Sequence, residues 1–317
     1  MNLNLIKQKT ILLIGDPILD IYVYGTALGK SLETPTIVAK KLKTQITFGG
    51  ATLVVRNILE LGSFVKYIAV LGSDKNSKYY DNLKHKNLDK YLILDKSRKT
   101  TTKKRFWIDG YKLLQIDELD NRDVNEDLEN KIIKIFKDEI KKCDIIVISD
   151  YRHGLLTKKL ISTVIEIATK NQKKILVDSQ ISHREGNHHL YKGSSMILLS
   201  ENEAKTIDPN FKIVTNGISK KIQNYFKESN ICIKLGKQGS IYSDKSEIIR
   251  SPAIEVNSVD TCGAGDAFLA ACAVSDLKEI SNVMEFANIW AGLSTTIHGT
   301  LPPTIKKFEN YIKNKNK

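Results

Sequence analysis

Short runs of β-branched and other apolar residues alternate along this chain with stretches whose apolar residues recur at helical spacing. The clearest helix is predicted over residues 125–142, where Asn125 is a candidate N-cap. Acidic residues open that stretch and lysines close it, as the helix dipole favours. A strand predicted over residues 144–149 follows directly. Strands and helices in alternation form βαβ units, so the pattern predicts an α/β fold with a central, mostly parallel sheet and helices on both faces.

The remaining strands of the main sheet are predicted over residues 11–14, 65–70, 175–177, 196–199, 231–235 and 240–243, and further helices over 51–61, 157–171, 264–275 and 282–297. Two segments, about 18–48 and 98–117, alternate in period two, and no helix follows either one at the spacing of a βαβ unit. We predict that these segments form antiparallel strands that leave the main sheet as a small β lid. Without a linker or an internal repeat, a single domain over residues 1–317 is expected.

The formal net charge of +13 raises the question of nucleic-acid binding. Proteins that bind nucleic acids concentrate Lys and Arg in one run or on one face, whereas the lysines here are spread along the whole chain. We therefore expect a lysine-rich surface with no nucleic-acid partner. The longest apolar runs are too short for a membrane span or a signal peptide, so no membrane partner is expected and the cytoplasm is the expected location. The four cysteines form no Cys-x-x-Cys pair, which argues against a disulfide framework or a zinc site.

The strongest chemical signal is a Gly-Ala-Gly-Asp run, residues 263–266, immediately before an apolar predicted helix. The two glycines leave successive backbone N–H groups bare at a helix N-terminus, which suits a transferring phosphoryl group. Asp266 then lies beside that anion site and can accept the proton of a hydroxyl that attacks phosphorus. The alternative is that the glycines make a tight turn and Asp266 caps the helix.

The longer string Asp-Thr-Cys-Gly-Ala-Gly-Asp, residues 260–266, resembles the C-terminal signature of the ribokinase-like (PfkB) carbohydrate kinases. This resemblance favours the chemical interpretation and implies a ribokinase-like fold with ATP and Mg²⁺ as cofactors. It implies that Gly263, Ala264 and Gly265 supply an anion hole and that Asp266 is the catalytic base. The lids of such kinases often pair between subunits, so the resemblance also implies a homodimer through the lid.

Other parts of the chain resemble more narrowly the bacterial kinases of heptose 7-phosphate. These parts are Gly-Asp-x-x-x-Asp at 15–20 and Ser-Asp-Tyr at 149–151. Phe-Gly-Gly-Ala at 48–51 resembles the N-terminal Gly-Gly motif of the carbohydrate kinase family as a whole, where substrate meets the lid hinge. The substrate-binding residues implied by this likeness are Asp16, Asp20, Gly49, Gly50 and Asp150. Arg105 is a candidate anion contact from the lid, with an ordinary surface arginine paired across strands as the alternative.

A third set of residues concerns the nucleotide and the metal. Leu-Gly-x-x-Gly at 235–239 resembles the loop that lies against the nucleotide in this family. The implied nucleotide-binding residues are Lys234, Gly236, Gly239, Asp260 and Thr261. Ser200 stands where the family's Asn-x-x-Glu motif has asparagine, and Glu203 retains the glutamate that is tied to magnesium.

Two departures affect the sugar end. Leu53 stands where the heptose kinases have asparagine, and Gln180 stands where they have lysine. The interpretation that follows is an ATP-dependent kinase of a sugar or sugar phosphate, with a substrate like heptose 7-phosphate favoured. Two alternatives stay open: a nucleoside or other small-molecule kinase of the same fold, and a catalytically silent sugar-binding or regulatory protein.

Overall fold

The computed structural model describes residues 5–181, 186–212, 217–244 and 246–315. Within these residues the chain forms two β-sheets and eight α-helices. The strands are β1 (Thr10–Gly15), β2 (Pro17–Lys30), β3 (Ile37–Gly50), β4 (Phe64–Gly72), β5 (Leu88–Asp95), β6 (Thr102–Ile108), β7 (Tyr111–Glu118), β8 (Ile145–Asp150), β9 (Lys174–Ser179), β10 (Met196–Ser200), β11 (Asn230–Lys234), β12 (Ser240–Ser243) and β13 (Ile248–Ser251). The helices are α1 (Ala51–Glu60), α2 (Glu126–Glu139), α3 (Lys158–Lys170), α4 (Glu201–Ile207), α5 (Lys220–Tyr225), α6 (Ala264–Val274), α7 (Ile280–Ser294) and α8 (Ile305–Lys315).

The larger sheet has nine strands in the order β13-β12-β11-β10-β9-β8-β1-β4-β5. Its strands from β11 to β5 are all parallel, and β12 and β13 are added antiparallel at one edge. Alternate residues of β1 point into different cores: Ile11 and Leu13 belong to one hydrophobic cluster, and Leu12 and Ile14 belong to the other. The first cluster includes residues of α1, α6 and α7, and the second includes residues of α2 and α3. Helices cover both faces of the sheet, and the predicted α/β architecture is confirmed.

Helix α6 is the most deeply placed helix of one face. Every residue from Ala267 to Val274 is buried, and it packs between α1 and α7. A helix that is apolar all round is suited to such an interior position. Its N-terminus, which carries the Gly-Ala-Gly-Asp run, is thereby held fixed against the main sheet.

The smaller sheet has four strands in the order β3-β2-β6-β7. The pairs β2–β3 and β6–β7 are antiparallel, as predicted, but β2 and β6 pair in parallel, so the prediction of an antiparallel arrangement was wrong at the centre of this sheet. The reason lies in the connections. Strand β2 follows β1, and β6 follows β5. Because β1 and β5 run in the same direction in the main sheet, β2 and β6 both leave the carboxyl edge of that sheet in the same direction.

The outer half of this smaller sheet is exposed, whereas the inner half of β2 is buried. Its role as a lid remains a prediction. Within the described residues, no helix has the length and apolar character needed to cross a membrane.

Candidate active site

A cavity of about 550 Å³ lies between the carboxyl edge of the main sheet and the smaller sheet. In open α/β sheets, ligands bind outside the carboxyl ends of the strands. Of the residues that the sequence predicts for the site, the cavity wall contains Asp20, Gly50, Arg105, Gly263, Gly265 and Asp266. The wall also contains Lys103, Asp117, Tyr151, His153, Gln180 and Cys262.

The Gly-Ala-Gly run opens helix α6 at the cavity. Gly263 has φ +85°, and a Cβ at this position would meet the Cδ2 atom of Leu53 at 2.3 Å. A Cβ on Gly265 would lie 3.3 Å from the Nζ atom of Lys234. Leu53 therefore packs directly against Gly263, and the ammonium of Lys234 lies beside Gly265. The first N–H groups of α6 lie at the positive end of the helix dipole, which is suited to an anion.

Asp266 lies in the first turn of α6 and is 6% exposed. The hydroxyl of Tyr151 donates a hydrogen bond to its Oδ1 atom at 2.6 Å. Burial raises the pKa of Asp266 to about 8, against the opposing effects of the Tyr151 bond and of the Lys234 charge. Gly263 is the N-cap of α6, and no side chain caps it, so the alternative that Asp266 is simply a cap is not supported. A carboxyl with a pKa near neutrality is suited to general-base catalysis.

Tyr151 reaches Asp266 from the turn that follows strand β8. The Oδ2 atom of Asp16 accepts the backbone N–H groups of Tyr151 at 2.9 Å and His153 at 3.3 Å. The Oδ1 atom of Asp150 accepts the backbone N–H of Arg152 at 2.8 Å, where the chain has φ +64°. The two carboxylates thus hold this turn in a conformation that aims Tyr151 at the cavity.

Asp16 and Asp150 are themselves almost fully buried, at 2% and 1% exposed, and neither lines the cavity. Burial and the neighbouring Asp150 raise the pKa of Asp16 to about 7. The Oδ2 atom of Asp150 accepts hydrogen bonds from Ser179, Asn187 and Tyr191. The structure therefore places these two predicted substrate ligands beneath the site, where they support the turn that carries Tyr151.

On the wall formed by the smaller sheet, Arg105 of β6 forms a buried ion pair with Asp20 of β2. Arg105 is 6% exposed, so the alternative of an ordinary surface arginine is wrong. Lys103 pairs with Asp117 across β6 and β7 at 2.9 Å in the same wall. A Cβ on Gly49 would lie 2.0 Å from the Oδ2 atom of Asp20, so this position needs glycine for the Asp20–Arg105 pair to sit where it does.

Gly50 ends β3 and caps α1, with φ +58°. A Cβ there would meet the carbonyl oxygen of Asp16 at 2.6 Å. The predicted Gly-Gly motif therefore lies where the smaller sheet joins the main body, and Gly50 faces the cavity.

The predicted nucleotide residues lie beside the N-terminus of α6. Lys234 ends strand β11 and forms an ion pair with Asp178. Burial lowers the pKa of Lys234, but the charges of Asp178 and Glu203 outweigh this effect and hold it above the usual value. Lys234 therefore places a fixed positive charge next to Gly265.

Of the other predicted nucleotide residues, Gly236 and Gly239 lie in the turn between β11 and β12, and Asp260 and Thr261 precede α6. Gly236 and Gly239 have φ +58° and +86°, and a Cβ on Gly236 would enter open space. The Oδ1 atom of Asp260 accepts the N–H of Cys262 at 3.0 Å, and the carbonyl of Thr261 accepts the N–H of Ala264 at 3.3 Å. Asp260 and Thr261 thereby fix the approach to the anion site rather than line the cavity.

Glu203, the predicted metal ligand, is 5% exposed and forms a capping box with Ser200 at the start of α4. Its Oε2 atom accepts the N–H of Ser200 at 2.6 Å. No cluster of three or more potential metal ligands occurs in the described part of the chain. Mg²⁺ in phosphoryl-transfer sites is commonly held by one or two carboxylates together with phosphate oxygens. Glu203 and Asp178 fit this donor set, since the Oδ1 atom of Asp178 is buried and has no hydrogen-bond partner among the described residues.

Of the two sequence departures, Gln180 lies in the cavity wall, whereas Leu53 is 2% exposed and packs behind the wall against Gly263. Tyr151 is the main functional candidate that sequence reasoning missed. Its signal was present, because it follows a strand of the parallel sheet and therefore lies at the same edge as Asp266, but the motif around it was assigned to substrate through Asp150 alone.

A protein-family model described as pfkB family carbohydrate kinase matches residues 8–307 of this chain. The bifunctional protein HldE of Aliarcobacter butzleri is 31% identical over 313 residues, which cover 96% of this chain and 64% of the relative. HldE of Helicobacter pylori strain P12 is 30% identical over 294 residues, covering 90% and 63%. The chain thus spans just under two thirds of the length of these relatives.

Solved structures share the fold over nearly the whole chain. Phosphofructokinase-2 from Escherichia coli, in complex with substrates and products, matches with a TM-score of 0.77 at 17% identity, covering 98% of this chain and 100% of that chain. Ribokinase from Arabidopsis thaliana, complexed with ribose and ATP, matches with a TM-score of 0.72 at 19% identity, covering 96% and 99%. At these identities the likeness shows the fold alone.

Proposed function

This chain belongs to the pfkB family of carbohydrate kinases, and from that premise we propose that it transfers the γ-phosphoryl group of ATP to a hydroxyl of a phosphorylated sugar like heptose 7-phosphate. The observation that carries the proposal is the pairing of a buried carboxyl, Asp266, with an uncapped helix N-terminus at the wall of one cavity. A base beside an anion site is the arrangement that phosphoryl transfer to a hydroxyl requires.

The acceptor hydroxyl would lie between Asp266 and the Gly263–Gly265 turn. As its oxygen forms a bond to the γ-phosphorus, Asp266 takes the hydroxyl proton, and the bond from phosphorus to the β,γ-bridging oxygen breaks with its electron pair leaving on ADP. The backbone N–H groups at the start of α6 and the Lys234 ammonium would stabilise the charge on the transferring group. Asp178 and Glu203 would hold Mg²⁺, whose charge would offset that of the phosphates.

The preference for a phosphorylated sugar is supported by the resemblance of residues 15–20 and 149–151 to the heptose 7-phosphate kinases. The basic side chains of Lys103 and Arg105 in the cavity wall are also suited to an anionic substrate. These side chains are paired with Asp117 and Asp20. A phosphate would bind Arg105 or Lys103, and a sugar hydroxyl would donate to the carboxylate of Asp20 or Asp117, so that both members of each ion pair keep a partner.

The smaller sheet is proposed to act as the lid, closing over the cavity so that water does not compete with the sugar for ATP. Its outer half exposes a set of large apolar side chains: Leu28, Ile37, Leu42, Tyr111, Leu114 and Ile116. An exposed apolar patch of this kind is typical of an interaction surface. We propose that a second copy of this chain covers it, giving a homodimer through the lids.

One observation favours a second candidate, a sugar-binding protein without catalysis. Ser200 replaces the expected asparagine, and the Oε2 atom of Glu203 is engaged in the capping box of α4. A glutamate held in this way is less available to a metal. The presence of Asp266, buried and bonded in the cavity, argues for the kinase.

The test is ADP release with Mg·ATP across hexoses, heptoses, their 6- and 7-phosphates, and nucleosides. Acceleration by heptose 7-phosphate above the matching unphosphorylated heptose supports the full proposal. Acceleration by a different sugar keeps the kinase and removes the heptose assignment. Binding of sugar without turnover of any acceptor would favour the silent protein.

A further inference from the structure

The two oxygens of Asp266 have different surroundings. Oδ1 accepts the hydrogen bond from the Tyr151 hydroxyl at 2.6 Å. Oδ2 lies on the side of Gly263, where a Cβ would be 3.7 Å away from it. One oxygen therefore accepts a hydrogen bond from a phenol, while the other lies beside Gly263 at the start of α6.

The phenol is itself held firmly in place. Its backbone N–H is bonded to the buried carboxyl of Asp16, and the next residue is bonded to Asp150. Burial and the charge of Asp266 raise the pKa of Tyr151 well above its ordinary value. Tyr151 therefore remains protonated, and it is a donor to Asp266 throughout the neutral range.

We propose that Tyr151 is a positioning residue for the base: it fixes the carboxylate by Oδ1, favours its ionised form, and leaves Oδ2 to accept the proton of the sugar hydroxyl. This inference rests on the proposed kinase function. The geometry that carries it is the bond to one oxygen only, made from a turn whose conformation is set by two buried carboxylates. A hydrogen bond to the charged form of a group favours that form.

Several other charges act on Asp266 from the elements around it. The carboxylates of Asp178 and Asp20 disfavour its ionisation, and the ammonium of Lys234 favours it. The thiol of Cys262 lies in the same cavity wall, and burial raises its pKa to about 11, so it stays neutral. Removing the phenol leaves Lys234 alone among these groups to oppose burial and the two acids.

The experiment compares the pH dependence of kcat/KM for the wild type and Tyr151→Phe, with the best sugar acceptor. Phenylalanine keeps the ring and removes the hydroxyl. Because a hydrogen bond to an ionised group is lost, the acid limb should move to higher pH by about one unit. Activity should therefore fall about tenfold below the limb and by much less above it, with KM for ATP unchanged.

Tyr242→Phe is the matched control. Tyr242 is also buried, and its hydroxyl also donates to an aspartate, Asp244, at 3.2 Å. Asp244 lines a separate cavity, away from the proposed site. This variant should keep the wild-type pH profile.

Two results would overturn the inference. The first is an acid limb that stays in place while kcat/KM of Tyr151→Phe falls by the same factor at every pH, which shows a purely structural role. The second is a variant whose pH profile is indistinguishable from that of the wild type. The titration of the Asp266 carboxyl can also be followed by ¹³C NMR in both proteins without any substrate. An upward shift of the Asp266 pKa in Tyr151→Phe supports the positioning role, whether or not any sugar is turned over. If that shift is seen but no sugar is turned over, the kinase proposal fails and the positioning role stands. An unchanged titration in that measurement refutes the positioning role.

Discussion

Replacing Asp266 by asparagine should make the protein inactive and more stable at the same time. The amide keeps the shape of the side chain and can still accept the hydrogen bond from Tyr151. It cannot take the proton of a sugar hydroxyl, so turnover should fall by about 10²–10⁴-fold, the usual contribution of a general base. The gain in stability has a different source, which is the removal of a carboxyl that folding transfers out of water.

The size of that gain follows from the pKa. Burial raises the pKa of Asp266 to about 8, whereas an exposed aspartate in the unfolded chain has a pKa of about 4. The folded state therefore binds more protons than the unfolded state between these values, and stability falls as the pH rises through this window. At about 1.4 kcal/mol per pH unit, the ceiling at pH 8 is of the order of 5 kcal/mol. That pKa already includes the attraction to Lys234; the asparagine amide also loses hydration when it is buried, which reduces the net gain, and we expect about 2 kcal/mol.

Thermal unfolding at pH 5 and pH 8 measures this effect. The variant should unfold about 4 °C above the wild type at pH 8, since 1 kcal/mol corresponds to about 2 °C in a domain of this size, and the difference should shrink at pH 5. Asp244→Asn is a control of opposite sign. Burial raises the pKa of Asp244, but hydrogen bonds from the backbone of Ser246 and Glu247 outweigh this and hold it below the ordinary value, so neutralising Asp244 should destabilise the fold at pH 8.

Two results would refute the reasoning on Asp266. A variant no more stable at pH 8 than at pH 5, relative to the wild type, would show that folding does not desolvate this carboxyl. A folded variant whose turnover stays within tenfold of the wild type would show that another group is the base.

Further predictions concern the cation, the lid and the metal. Lys234→Ala removes the charge beside Gly265 and leaves Asp178 unpaired in a buried position. The kcat should fall at least tenfold, and a thermal scan should show lower stability; an unchanged kcat would show that Lys234 takes no part in the reaction. Leu42→Lys places a charge in the exposed apolar patch of the smaller sheet; sedimentation should show a monomer where the wild type is a dimer, and a monomeric wild type would disprove the dimer. Glu203→Gln keeps the hydrogen bond to the Ser200 N–H but weakens a magnesium ligand, so the Mg²⁺ concentration for half-maximal activity should rise severalfold, and an unshifted Mg²⁺ dependence would exclude Glu203 as a ligand.

The main sheet could be predicted from sequence because its strands carry their signal locally. The run Ile11–Ile14 is fully buried on both faces and reads as a continuous apolar strand. Helix α2 was predicted over 125–142 and spans Glu126–Glu139, followed by a 3₁₀ turn to Lys142, with Asn125 capping it as expected. Strand β5, strand β13 and the short helices α4 and α5 were not predicted, because elements of four to eight residues contain too few repeats of the apolar pattern to be distinguished from loops. Helix α8, of eleven residues, was also not predicted; it is rich in lysine, and Phe308 is its one buried residue.

The site could be predicted in part for a similar reason. The anion site and Asp266 lie in one contiguous motif, so their proximity follows from the sequence itself. The Asp20–Arg105 and Tyr151–Asp266 contacts join residues separated by 85 and 115 positions. The first depends on the parallel pairing of β2 and β6, which no local periodicity encodes. The second depends on a turn that two buried carboxylates support, and those carboxylates were assigned to substrate by the resemblance to the heptose 7-phosphate kinases.

The passage from β3 into α1 without an intervening loop has a consequence for how the two substrates influence each other. Gly50 ends the strand and caps the helix, and three residues later Leu53 contacts Gly263 at the anion site. A sugar that moves β3 therefore also moves α1, and with it the side chain that borders the phosphoryl position. Linkage requires the effect to be reciprocal, so sugar should tighten ATP binding by the same factor by which ATP tightens sugar binding. Calorimetric titrations of Asp266→Asn, in which the two substrates bind with little turnover, would measure both changes in affinity. If neither substrate changes the affinity for the other, the two sites are thermodynamically independent.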